Sequence, residues 1–346
     1  MRTRADVQLL LWRAWLGATP AQVDAAYDHL SNHPALVAAS LGITVPQALV
    51  GQQPVDIAIG GTLSQFKYNP AGRVDPGAIN ALDDYMTSDA ASNATTYKQQ
   101  VVQGHENAQA ALSSIAQMVA AGYTPAVTYP GTSLAASLQT VAQLIHGGAG
   151  ARVLYVATGG FDTHADERTT HDGLMQTLGD ALYAFWQDIA AHGHADHVVL
   201  MTFSEFGRRA AENASHGTDH GSASVMFVMG SNVTGGIYGS APSLTNLNNG
   251  NLLVQQDFRQ VYAALLQDWL GFDPATVLPY GPYTPTPLFA APNVAPPLHP
   301  NGAIATSASG SPAPVAPQPV NAPGQHPLVT PTGVAAPTPL PQPARH

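Results

Sequence analysis

Five side chains in the second half of this 346-residue sequence have types and spacings suited to holding a divalent cation. Asp162 and His164 stand two apart in GGFDTH, Glu205 sits in SEFGR, and Asp219 adjoins His220 in GTDHG. Carboxylate oxygens and imidazole nitrogens without sulfur suit Zn, Mn or a similar divalent ion. A bound ion of that kind can activate a water molecule as a nucleophile. Charged residues are only 10% of the chain, yet Glu205, Arg208, Arg209, Glu212, His216, Asp219 and His220 crowd into one short stretch. Arg208 is the candidate catalytic clamp for an anion, with Arg209 and Arg259 as alternatives.

Each of these residues also has a plainer reading. Asp162 caps the following helix or braces the Gly-Gly turn, and His164 is a solvated turn residue. Glu205 pairs with Arg208 or Arg209 at the surface. Asp219 holds an Asx-type turn and orients His220 from behind. His171 lies seven residues past His164, on or near a helix start, and reads as a support behind the ligands or a solvated residue and not as a ligand. His192, His194 and His197 in HGHADH fall at the amino end of a strand, the wrong edge of the sheet for a ligand, and read as a solvated helix-to-strand turn.

The surrounding pattern supplies elements able to bring the five together. RVLYVATGG (152–160) is a short apolar run closed by glycines, as in a buried parallel strand. A helix follows with Leu174, Leu178, Leu182, Phe185 and Ile189 on one face. HVVLMTF (197–203) and SVMFVMG (224–230) read as two further buried strands. Strand, helix, strand at this spacing predicts a βαβ unit and a mostly parallel sheet. Ligands of such sheets bind beyond the carboxyl ends of the strands, where GGFDTH and SEFGR emerge. GTDHG precedes the third strand, in a loop able to fold back over the same rim. Upstream, residues 20–30 suggest a short helix. Residues 76–122 are rich in Ala and Gln and also read as helical. A helix from Leu134 repeats Leu138, Val141, Ala142 and Ile145 and ends at Gly147 and Gly148. Near the end, DFRQVYAALLQDWLG predicts a helix with Phe258, Val261, Tyr262, Leu265 and Trp269 inward and Gly271 as its cap.

The totals exclude several classes of function. A net charge of −10 with 12 Lys and Arg argues against nucleic acid or an anionic membrane as the main partner. An anionic small molecule or ester remains an expected substrate where a metal cancels local charge. With no cysteine, disulfides, thiolate metal sites and Cys nucleophiles are ruled out. No apolar run approaches a membrane span. The first seventeen residues read as an amphipathic helix and not as a signal peptide. From about residue 290 the composition shifts to Pro, Ala, Gly, Ser and Thr. The expectation is a domain over 1–290 and a disordered, polyproline-like tail over 291–346, serving as a spacer or as a ligand for a proline-binding module.

The segments GGFDTHADE, SEFGRRAAENASHGTDHGSA, GGIYGSAPSL and DFRQVYAALLQDWLG resemble the hallmarks of the bacterial DUF1501 family. YPGTSLAASLQTVAQLI and ALVAASLGITVPQAL also look like that family, so the resemblance spans roughly residues 33 to 271. The family is similar in turn to the alkaline phosphatase and sulfatase superfamily. That likeness implies a three-layer α/β/α fold, here incomplete, and hydrolysis of phosphate or sulfate esters at a two-metal site. It implies a first-metal triad of Asp162, His164 and His220. It also implies a weakened second site, with Glu205 in place of an Asp and Phe206 in place of a His. Family members usually start with a twin-arginine export signal, then a Gly-Gly-Asn-Asp-Gly type segment and a hydroxyl nucleophile. None of these occurs in this sequence, so a chain missing that N-terminal part is expected. Export to the periplasm or beyond follows from the resemblance alone. The alternative is a non-catalytic, exported metal-binding or cell-envelope scaffold protein. Metal identity, nucleophile and oligomeric state stay open at this level.

Overall fold

The structure is a computed structural model that describes residues 38–41, 56–59, 63, 84, 96–148, 151 and 153–289, all within one compact unit. The expected N-terminal helices and the Pro-rich tail lie outside the described residues.

Three parallel strands form the central sheet: β1 (Ala38–Leu41), β2 (Asp56–Ile59) and β3 (Val153–Val156), in the order β2-β1-β3. The buried run VLYV is therefore a parallel strand, as its continuous apolarity predicts. Its side chains alternate between two cores. Val153 and Tyr155 join a cluster with Val261, Tyr262, Leu266 and Trp269. Leu154 and Val156 pack with Leu138, Val141, Leu178, Phe185 and Ile189. The period of two thus places helical segments against both sets of side chains of one strand.

Among the described residues, four α-helices pack with the strands. α1 (Thr96–Ala121) buries Ile115 and Met118 with Ile59, Leu63 and Leu144, and its Ala111 is also buried. α2 (Ser133–His146) starts at Thr132, whose hydroxyl accepts from the Ala135 amide, a standard N-cap. Its Leu134, Leu138, Val141 and Ala142 are buried, and Gly147 and Gly148 return amides to Gln143 and Ile145. α3 (Glu167–Ala191) buries Leu178, Phe185 and Ile189 against α2. Burying a side chain the size of Phe185 contributes about 2–3 kcal/mol. α4 (Phe258–Ala264) is capped by Asp257 and continues as a π-helical turn over Leu265–Trp269. Gly271 ends it with φ +68°, in the left-handed region that glycine tolerates. Phe258 is 39% exposed, so it does not turn inward as its position in the pattern suggested. Val261, Tyr262, Leu266 and Trp269 are buried, and Leu265 packs partly buried against the same cluster.

The sheet departs from a mostly parallel one. β4 (Leu200–Met201) pairs antiparallel with β7 (Val228–Met229), so the expected third strand runs the opposite way. Between them lies a hairpin the sequence did not announce: β5 (Gly207–Glu212) with β6 (Thr218–Gly221). A small pair, β8 (Leu247–Asn248) with β9 (Asn251–Leu252), completes a set of small mixed sheets. The reversal is physically simple. Residues 202–227, between β4 and β7, are spent on a hairpin with no helix, and a parallel crossover needs a helix-sized segment packed on the sheet.

Candidate metal centre

Asp162 and His164 lie in the loop that leaves β3, and His220 lies on β6. A D-x-H spacing in extended chain sends the first and third side chains to one side and the middle one to the other. Thr163 follows that rule: it is 5% exposed, while its neighbours face outward. The β5–β6 hairpin then carries His220 back to the same place. Asp162 Oδ1 lies 2.7 Å from His220 Nε2 and 3.0 Å from His164 Nε2, and the two imidazole nitrogens are 3.1 Å apart. These three form the one cluster suited to a metal among the described residues.

Several contacts hold the hairpin there. The 213–217 turn pairs with the start of α3: Asp166 N–H donates to Ser215 O, Glu167 N–H to His216 O, and Ala165 bridges His216. The Thr218 hydroxyl donates to Glu167 Oε2 at 2.6 Å. Asn213 shapes the turn from inside. Its Oδ1 accepts from the amides of Ser215 and Gly217, and its Nδ2 donates to His164 O at 3.0 Å. Gly217 is needed because a Cβ there would sit 2.3 Å from the His164 carbonyl carbon. The Asn-x-Ser pattern of an Asx turn was the sequence signal for this brace, and it went unread.

The remaining site residues stand around the triad. Arg208 donates from Nη1 to Thr218 O at 2.7 Å and from Nη2 to Phe161 O, and lies 3.5 Å from Asp162 Oδ1. It ties the two ligand-bearing segments together. The Phe206 ring stacks on the His220 imidazole at 3.7 Å, with the Arg208 guanidinium 5.0 Å from the Phe206 centroid. Asp219 approaches His164 Nδ1 at 3.5 Å and accepts from Asn213, so the imidazole it faces is His164, whereas His220 was the expected one. Glu205 is half-buried in the loop after β4, outside the three-atom cluster.

The donor set tests well against a tetrahedral divalent ion. Two bonds of 2.0–2.1 Å at the tetrahedral angle separate ligand atoms by about 3.3 Å. The observed separations of 2.7 to 3.1 Å need only a few tenths of an ångström of spreading. Proton counting points the same way. A carboxylate at Nδ1 favours the His164 tautomer with its hydrogen on that nitrogen, leaving a bare lone pair on Nε2. That lone pair then faces a carboxylate oxygen at 3.0 Å, a repulsive contact unless a proton or a cation lies between them. The hydrogen bond from His220, and with it the nearby Arg208 guanidinium, hold the Asp162 carboxyl below its usual range. Asp162 is thus in the ionised form a ligand requires.

Residues 78–277 match the family described as "Protein of unknown function (DUF1501)". The chain belongs to the DUF1501 family. No curated protein and no solved structure matches it. The matched span of this DUF1501 protein contains all three triad residues, Arg208 and the whole β5–β6 hairpin. No described helix is long and apolar enough to cross a membrane.

The corner read as a solvated turn is different. His194 is only 7% exposed, and Asp188 beside it is fully buried. Asp188 accepts from the hydroxyls of Tyr123 and Tyr129 and from the Ala126 amide, and lies 3.1 Å from His192 Nδ1. Burial first, and the Asp188 carboxylate second, push both tyrosine hydroxyls well above their ordinary range, so both remain donors. The turn is packed because the Tyr-containing loop after α1 folds onto it, through contacts between residues 59 and 65 positions apart.

Proposed function

We propose that this DUF1501 protein holds one divalent metal ion, Zn or Mn, at Asp162, His164 and His220. The reading rests on the convergence of one carboxylate and two imidazole nitrogens within 4.8 Å at the end of β3. An ion there would supply a Lewis acid and an activated water for hydrolysis of phosphate or sulfate esters, the activity the resemblance implies. The chain's own residues have positioning roles. Asp162 contributes the anionic ligand. Asp219 keeps the His164 proton on Nδ1 so that Nε2 is free to bind. Phe206 fixes the plane of the His220 ring, and Arg208 clamps the loop and the hairpin together. Alternation of β3 between two helix-backed cores supports the three-layer α/β/α arrangement that such hydrolases use.

A second reading is a non-catalytic metal-binding or scaffold protein, exported as the family resemblance implies. The observation that favours it is the commitment of Arg208. A guanidinium donating to two backbone carbonyls has fewer free N–H groups to grip an anion. The experiment that decides pairs metal reconstitution with turnover of p-nitrophenyl phosphate and p-nitrophenyl sulfate. Metal-dependent release of nitrophenol that is lost in His220→Ala supports the hydrolase. Metal uptake with no turnover supports the scaffold.

A further inference from the structure

A second group of imidazoles stands away from the metal centre, in the turns that lead into β3 and β4. His146 ends α2, His192 follows α3, and His194 lies in the next turn. The His146 and His192 ring centroids are 4.5 Å apart, and those of His146 and His194 are 5.5 Å apart, edge to face. Tyr123 lies 5.7 Å from His146 and 5.5 Å from His192. His146 Nδ1 lies 3.3 Å from His194 Nε2. His194 Nδ1 is buried with no partner among the described residues.

A neutral imidazole has one donor nitrogen and one acceptor nitrogen. If His194 accepts at Nε2, its Nδ1 carries a buried hydrogen with no acceptor. If His194 donates from Nε2, its Nδ1 keeps only an unpaired lone pair, the less costly orphan. The second arrangement makes His146 Nδ1 the acceptor, which requires a neutral His146. A metal ion between the two nitrogens would impose the first, costlier tautomer on His194, so the contact is a hydrogen bond.

We propose that the His146–His194 pair is a pH-operated latch on the turn entering β4. It is closed while His146 is neutral. A proton added at His146 Nδ1 sets two N–H groups against each other and opens it. Water reaches His146, which is exposed. Burial first, then the charges of His146, His192 and His197, depress the affinity of His194 for a proton, so the added proton stays on His146. The other groups at this corner do not replace the lost acceptor. Asp188 is occupied by Tyr123, Tyr129, the Ala126 amide and His192. His192 gains from Asp188 on protonation, and His197 adds only repulsion.

The test is hydrogen exchange of the full chain followed by mass spectrometry at pH 7.5 and 5.5, each corrected for intrinsic rates. In the closed state the amides of His192, Gly193 and His194 donate to carbonyls of the last turn of α3, and that of His197 donates to His194 O. Imidazole side chains change charge between pH 5 and 8, so these two pH values lie on either side of the step. Residues 192–198 should exchange several-fold faster at pH 5.5, with residues 134–142 of α2 unchanged. His146→Gln, whose amide donates and accepts at either pH, should abolish the difference, and His146→Asn should do the same. No acceleration in the wild type, equal acceleration in both variants, or faster exchange throughout the chain would each overturn the latch.

Discussion

Substituting Gly217 by alanine tests the mechanical link between the hairpin and the metal centre. A Cβ at this position would lie 2.3 Å from His164 C, 2.4 Å from His164 O and 2.6 Å from Ala165 N. All three are backbone atoms, so no rotamer change relieves the overlap. Ordinary contact requires about 3.4 Å or more, so the strands must part by roughly 1 Å. That movement breaks the bonds from Thr218 N–H to Thr163 O and from Glu167 N–H to His216 O, and strains the bridge of Ala165 with His216. At about 1 kcal/mol per net hydrogen bond, the loss is about 2–3 kcal/mol. For a domain of this size that lowers Tm by roughly 5–10 °C. Displacing His220 by the same ångström also exceeds the tolerance of a metal site, about 0.5 Å, and should weaken metal binding by at least about tenfold. Gly173→Ala is the matched control, because a Cβ there meets nothing within 4 Å and the residue lies inside α3. It should stabilise by about 0.5–1 kcal/mol. Scanning calorimetry and a zinc titration of both variants give the readout. A Gly217→Ala protein with wild-type Tm and wild-type metal affinity would refute the packing argument.

Asp188→Ala strips a fully buried carboxylate from two tyrosine hydroxyls, an amide and His192, and should cost about 3 kcal/mol in chemical denaturation; a loss under about 1 kcal/mol would contradict the clamp. Asp257→Ala removes the N-cap of α4, whose side chain accepts from the Arg259 amide, and should cost about 1 kcal/mol at pH 7. The hydrogen bond from the Arg259 guanidinium holds the Asp257 carboxyl below its ordinary value, so its contribution is present above about pH 4 and is lost as the pH falls through the lower folded value. The gap in Tm between wild type and Asp257→Ala should therefore narrow between pH 5 and pH 3; a gap that widens on acidification would reverse the sign. Asp219→Asn keeps the shape of that side chain but removes the charge that orients His164, and should weaken metal binding about tenfold with Tm of the metal-free protein unchanged.

Much of the scaffold was legible in the chain because periodicity reports burial. Leu134, Leu138 and Val141 announced α2, Leu178, Phe185 and Ile189 announced α3, and the run VLYV announced β3. The D-x-H pair at a strand end was readable for the same reason, since the end of a buried strand fixes where the next polar residues emerge. The hairpin was not readable. Its strands, GRRAAE and TDHG, are polar on both faces, so no alternation marks them. Without it, β7 was given the wrong direction, and the approach of Asp219 to His164 has no local sequence sign. The His194 corner was misread because its cover comes from Tyr123 and Tyr129, far away in sequence, and a local pattern carries no sign of a distant lid.

The central claim is that Asp162, His164 and His220 bind one cation together. Elemental analysis of the purified chain after loading with Zn or Mn and desalting tests it directly. The full chain should retain about one equivalent of metal, and the Asp162→Ala, His220→Ala double variant about a tenth of that or less. Equal metal in the two proteins, with both folded by circular dichroism, would contradict the claim.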